Sequence, residues 1–333
     1  MLIHEEEEDN RMNQKPDLGA LFGAAAETAT FLGLEACTDL AALNAPIALI
    51  GAPCATPYRS VGAYCRNAPD ALRRATGALA ANVDRHDFDS GGAVFPATHL
   101  RAVDCGNLPY DENDAAGNRD TIRNAVSTIR ARGAVPILLG GDDSIPIPMI
   151  EALGRNAQPD GRKFTILQID AHIDWRDSHM DERMGLSSTM RRASEMPHIE
   201  RIIQVGARGI GSAATQDYLD AVAWGVHFIP AYELHARGVQ AVMELIPHGS
   251  DVIICIDADA MDPALVPGVI GRSPGGLSYY QMVDLIKGTA ARGRIAAMDF
   301  VEFMPERDVD SLGALTFARV ITTALGVIAR QLA

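Results

Sequence analysis

Short apolar runs recur along this chain, and most of them end at glycine or at acidic residues. "PIALIG" (46–51), "AVPILLGG" (134–141), "KFTILQID" (163–170), "ERIIQVGA" (200–207), "GVHFIP" (225–230), "DVIICIDAD" (251–259) and "RIAAMDFVE" (294–302) have strand length. A weaker run inside "FPATHLRAVDCG" (95–106) ends near Asp104, which makes about eight. They do not alternate with polar residues, as expected of parallel strands covered on both faces by helices. The intervening segments have helical spacing. In "GNRDTIRNAVSTIRARG", Ile122, Ala125, Val126 and Ile129 form one apolar stripe, and Gly133 is the stop. "SYYQMVDLIKGTAARG" and "DSLGALTFARVITTALGVIARQL" behave alike. Alternating strands and helices predict a mostly parallel α/β sheet, in one large domain or two smaller ones. Residues 1–18 read as a disordered acidic tail and residues 19–45 as an N-terminal arm or helix.

Composition narrows the function classes. The chain has 333 residues, 47% hydrophobic and 22% charged, enough for a large buried core. A net charge of −14 argues against nucleic acid and against an anionic membrane; it suits a cationic substrate, or simply solubility. The five cysteines are odd in number and form no CxxC pair, so they read as free thiols of a reducing compartment. An acidic block stands where a signal peptide needs basic and then apolar residues, and no apolar run of ~18 residues is evident, so the expected location is cytoplasmic. No phosphate-binding glycine pattern follows a strand.

Ligands of open parallel sheets bind beyond the carboxyl ends of the strands. Here those ends are acidic. "PILLGG" is followed by Asp142 and Asp143, "TILQI" by Asp170, His172 and Asp174, "VIICI" by Asp257, Asp259 and Asp262, and "AAMDFV" by Glu302. So many carboxylates cannot converge without counter-charge, because burying one unpaired charge already costs several kcal/mol. If the strands continue, the spacing of Asp170, His172 and Asp174, and of Asp257 and Asp259, turns alternate side chains one way. Oxygen donors with one imidazole suit a hard divalent ion such as Mn²⁺, and the inventory fits two ions ~3.5–4 Å apart. Taken singly, each motif has a structural reading, a helix cap for the Asp-Asp pair above all.

Together, "GGDDS", "DAHID", "CIDADAMDP…PGVIGRSPGGL" and "FVEFMPERD" resemble the ureohydrolase (arginase/agmatinase) family, from about residue 46 to the end. The resemblance implies a single αβα domain over 46–333 with an eight-stranded, mostly parallel sheet and two Mn²⁺ ions. It assigns Asp143, Asp170, Asp174 and Asp257 to one metal and Asp170, His172, Asp257 and Asp259 to the other, with Asp170 and Asp257 bridging. Glu302 would bind the substrate guanidinium, Asp174 would relay a proton, and Asp262 would hold its own turn. It also implies a homo-oligomer, trimer or hexamer.

The chain departs from the family pattern in four places. Asp143 stands where a metal-binding histidine is usual, a ligand compatible with Mn²⁺ and also with Ni²⁺. The usual histidine-glycine loop is replaced by Ser187-Ser188-Thr189, with His179 as the nearest substitute proton carrier. Arg272 sits in the loop before the PGGL turn, suited to a substrate carboxylate or to Asp262. The first-strand loop lacks an aspartate and has Tyr58 and Arg59 instead. The expected activity is metal-dependent hydrolysis of a guanidino C–N bond, agmatinase-like, releasing urea. The alternatives are another guanidine or biguanide substrate, a metal-dependent amide hydrolase, or a non-catalytic subunit beside a paralogous partner.

Overall fold

The computed structural model describes residues 29–155, 161, 163–211 and 213–333. The tail expected at 1–18 and the first part of the expected arm, 19–28, lie outside them. Residues 29–45 run along the sheet edge, with short 3-10 turns at Phe31–Gly33 and Leu40–Ala42 flanking β1 (Glu35–Ala36). Then come β2 (Ile47–Ala52), β3 (Ala102–Asn107), β4 (Val135–Gly140), β5 (Phe164–Ile169), β6 (Ile199–Val205), β7 (His227–Ile229), β8 (Asp251–Asp257) and β9 (Arg294–Val301). Their order is β1-β3-β2-β4-β9-β8-β5-β6-β7, and every pairing is parallel. The ninth strand, unexpected from sequence, is the two-residue β1 pairing Glu35 with Val103. It is too short to carry a periodic signal.

All residues of β2, β4, β5 and β8 are buried, which explains their unbroken apolarity. The principal helices are α1 (Ala68–Ala75), α2 (Ala115–Ala131), α3 (Pro146–Arg155), α4 (Thr215–Trp224), α5 (Tyr279–Arg292) and α6 (Leu312–Gln331). Consecutive strand residues feed opposite layers. Leu49, Ile137 and Ile254 join Leu72 of α1, Leu285 of α5 and Phe317 of α6. Ile50, Leu138 and Ile253 join Ile122 of α2, Ile150 of α3 and Ala221 of α4. The result is one three-layer αβα domain. The sequence showed no apolar stretch long enough to span a membrane, and α6 corrects that: an 18-residue window within its 20 residues reaches a mean hydropathy of 1.7. However, 72% of that stretch is buried inside the fold, so its apolarity serves the core.

The chain leaves β4 and resumes at β5 three positions away in the sheet, and β8 and β9 later fill the two places between. The ends of β4, β9, β8 and β5 are therefore neighbours at the switch in strand order, where such sheets form their sites. The turn after β4 passes very close to the loop after β2. A Cβ on Gly141 would lie 2.2 Å from the Pro53 carbonyl oxygen, a backbone atom with little room to yield. The Gly141 amide also donates to the Ala52 carbonyl at 2.8 Å. Gly141→Ala is expected to cost about 1–3 kcal/mol, lowering Tm by several degrees in a thermal melt followed by circular dichroism.

Candidate metal centre

The two adjacent aspartates after β4 divide their work. The Asp142 Oδ1 accepts from the Ser144 amide at 3.0 Å and from the Ser144 hydroxyl, which closes the turn before α3. Asp143 closes no turn. It lines the cavity above the sheet, and both its Oδ2 and that of Asp142 are buried without a hydrogen-bond partner.

The acids after β5 and β8 converge by turns, not by strand alternation. β5 ends at Ile169, and Asp170 Oδ1 accepts the His172 amide at 2.6 Å. Asp174 is left-handed, with φ 42°. β8 ends at Asp257, whose Oδ1 accepts the Asp259 amide at 2.6 Å at the start of the 3-10 turn Ala258–Ala260. The alternate-side-chain expectation thus fails at both motifs, because each leading aspartate bends the chain by binding the amide two residues on. The side chains still meet.

Donor atoms of Asp170, His172 and Asp259 lie within 4.8 Å of one another, and so do those of Asp143, Asp170 and Asp257. The two groups share Asp170. Asp174 belongs to neither group, and its Oδ2 accepts from Gln168 Nε2 at 2.7 Å while the same nitrogen reaches Asp170 Oδ2 at 2.8 Å. Gln168 is in turn held by Gln204, which also donates to the Ile173 carbonyl at 2.8 Å. Glu302 follows β9 with φ 63°, its amide fixed on the Gly141 carbonyl at 2.8 Å. The Glu302 Oε1 accepts the Asp143 amide at 2.9 Å, and both its oxygens lie 2.7 Å from the Tyr64 hydroxyl. Asp143, Asp174, Asp257, Asp259 and Glu302 surround a cavity of about 220 Å³ with His172, Arg176, Ser187, Asp217 and Gly271.

The electrostatics are severe. Burial, then mutual repulsion, pushes Asp143, Asp170, Asp174 and Asp257 above the usual carboxylate range. Burial works against the His172 cation, yet hydrogen bonds and charge from Asp170 and Asp259 push its pKa up to about 12. Its Nδ1 lies 3.1 Å from Asp259 Oδ2. Burial also acts on Asp259, but the bond to His172 prevails and lowers it. This excess of buried negative charge, the orphaned Asp143 oxygen and the oxygen-rich donor set fit divalent cations.

The other residues expected at the site are dispersed. Ser187 lines the cavity. His179 lies off the cavity wall, with Nδ1 2.9 Å from Arg176 Nη1 and its ring edge-on to Tyr58. Arg272 also lies outside, donating to the Pro267 carbonyl at 2.7 Å and the Arg307 carbonyl at 2.9 Å. It braces two loops and reaches neither substrate space nor Asp262. Asp262 accepts amides of Ala264, Gly275 and Gly276, within its own turn and the glycine turn beside it. Tyr58 is buried behind Ser187, and Arg59 is exposed. Sequence reasoning missed Gln168, Gln204 and Tyr64. The two glutamines had a signal, each being the one polar residue beside the end of an apolar strand. Tyr64 had none.

Parallel central strands that present buried acids and an imidazole to one cavity define an arginase-type αβα hydrolase fold. A model of the arginase family matches residues 45–326, and the chain belongs to that family. It is 30% identical to a mitochondrial agmatinase of Gallus gallus over 251 residues, 74% of this chain and 72% of the relative. It is 28% identical to a guanidinopropionase of Pseudomonas aeruginosa over 312 residues, 91% and 92% of the two chains. The crystal structure of a hypothetical agmatinase from Burkholderia thailandensis superposes with a TM-score of 0.78 at 25% identity, covering 92% of both chains.

Burial raises Glu302 from 4.5 to about 8, with help from Asp142, and raises Asp299 from 3.8 to about 7. A carboxyl raised by folding adds stability below its unfolded pKa and loses it as pH climbs through the folded value. Protein stripped of divalent ions by a chelator should therefore lose several degrees of Tm between pH 4.5 and about 8. Added divalent ion should raise Tm most at the alkaline end. Scanning calorimetry across this range checks both signs.

Proposed function

We propose that this chain hydrolyses the C–N bond of a guanidino group at a centre of two divalent cations, Mn²⁺ first and Ni²⁺ second. A guanidinium and water become urea and an ammonium ion. The carrying observation is that Glu302 shares one cavity with two donor groups joined through Asp170. Asp143, Asp170 and Asp257 would hold one ion, and Asp170, His172 and Asp259 the other. Bound there, two cations lower the pKa of water, so that a strong nucleophile exists at neutral pH.

The chain's own residues do the rest. Glu302 accepts N–H bonds from the planar guanidinium and orients its carbon. Asp174, fixed by Gln168, takes a proton from the attacking water and returns it to the leaving nitrogen. Ile270, Gly271, Leu186 and Ser187 wall the cavity beside these acids. Asp217 gives the cavity a carboxylate suited to the amine tail of an agmatine-like substrate, and the name of the Gallus relative agrees. Arg176 also lines the wall, but it is engaged with His179, which weakens the case for a guanidino acid. The reading includes a cytoplasmic homo-oligomer, trimer or hexamer, which cell fractionation and light scattering check. A monomer in solution removes that part.

Metal analysis of the Mn²⁺-loaded protein should find about two ions per chain and about one in Asp143→Ala. Glu302→Gln should keep its metal and lose about 10²-fold in kcat/KM for urea release from agmatine. One ion or none in the parent, or unchanged urea release in Glu302→Gln, removes the proposal.

A further inference from the structure

Tyr64 lies in the loop between β2 and α1, and its hydroxyl is 2.7 Å from each carboxylate oxygen of Glu302. A carboxylate offers about four acceptor positions, two on each oxygen. On Oε1 one is met by the phenol and one by the Asp143 amide at 2.9 Å. The phenol has one proton, so Oε2 shares it with Oε1 rather than gaining a second bond. A hydroxyl equidistant from both oxygens sits on the edge between them. That is the edge along which a planar guanidinium makes two parallel N–H···O bonds.

The loop around Tyr64 is anchored on both sides. The Asn67 side chain donates to Glu306 Oε1 at 2.5 Å, tying the loop to the segment after β9. Arg66 pairs with Glu112 at 2.5 Å, and the Cys65 carbonyl accepts the Ala68 amide at 2.9 Å. The phenol is therefore delivered to Glu302 by the fold and is not a surface side chain fallen inward.

We propose that Tyr64 is an internal occupant of the guanidino subsite, whose hydroxyl a substrate guanidinium must displace from Glu302. The inference rests on the guanidino reading of Glu302. It makes the subsite weaker than a bare carboxylate and shifts selection towards what the rest of the ligand contacts. A structural role for Tyr64 would act in the opposite direction, because losing the hydroxyl would then loosen Glu302 and weaken binding.

The test uses the metal-loaded full chain and the guanidinium ion as probe, with sodium chloride matching ionic strength. Calorimetric titration should show Tyr64→Phe binding guanidinium about tenfold more tightly than the parent, and Glu302→Gln not at all. Thermal melts and metal content verify each variant, and Tyr64→Leu should move affinity the same way. In the parent, guanidinium should also produce a saturable near-ultraviolet tyrosine difference band, absent from Tyr64→Phe. Equal or weaker binding by Tyr64→Phe, with binding still lost in Glu302→Gln, overturns the role of Tyr64 and leaves the guanidino reading standing. A parent that binds guanidinium without the tyrosine band overturns it too. Binding retained in Glu302→Gln removes the guanidino reading and this inference with it.

Discussion

Like charges forced together at one buried sheet edge set the terms for the rest of this structure. Two carboxylates ~5 Å apart repel by about 3 kcal/mol at an effective dielectric constant near 20. Several such pairs rival the ~5–15 kcal/mol that holds a typical domain together. Asp143, Asp170, Asp174, Asp257, Asp259 and Glu302 are each at most 9% exposed, so water screens little of this. The molecule's internal answers are retained protons on several acids and the imidazolium of His172. Divalent cations are the complete answer, and the donors are already grouped for them.

Much of the surrounding architecture keeps these acids in place. Asp170 and Asp257 each accept the backbone amide two residues on, one at the end of β5 and one at the end of β8. Gln168 holds Asp170 and Asp174, and Gln204 holds Gln168. Asp174 and Glu302 adopt left-handed backbone, which costs of order 1–3 kcal/mol each outside glycine. That cost is tolerated because the Glu302 amide is fixed on Gly141 and its carboxylate on Asp143 and Tyr64. Side chains held this firmly have little reorganisation left to do when a cation or a guanidinium arrives.

The strands were legible because burial on both faces leaves a continuous apolar run, and their acidic ends were legible because nothing else in the chain looks like them. The resemblance assigned six residues as ligands; the geometry gathers five of them into the two donor groups and holds Asp174 on the cavity wall beside Asp170. Other features depend on contacts distant in sequence. A helix cap suited Asp142 and Asp143 alike and only the resemblance singled out Asp143; the turn to Ser144 gives the division its physical basis. Arg272 looked like a charge near the substrate, but carbonyls of two converging loops claim it. His179 was the nearest histidine along the chain, but it packs against Tyr58 and Arg176 off the cavity wall. Tyr64 meets Glu302 across 238 positions, a distance no local pattern encodes. The edge strand β1 was hidden by its two-residue length.

The strand order also has a consequence for how the polypeptide is made. β4 and β5 are successive in sequence, yet they never pair, because β9 and β8 stand between them. While the amino-terminal two thirds emerge from the ribosome, the leaf β1-β3-β2-β4 and the leaf β5-β6-β7 each keep an unpaired inner edge. The late-arriving β8 and β9 close both edges at once, and they bring Asp257, Asp259 and Glu302 with them. The acids after β4 and β5 thus meet across strands that come from later in the chain, and those strands add the hydrophobic contacts that bear their repulsion. A chain cut before β8 would lack the centre of its sheet together with Asp257, Asp259 and Glu302.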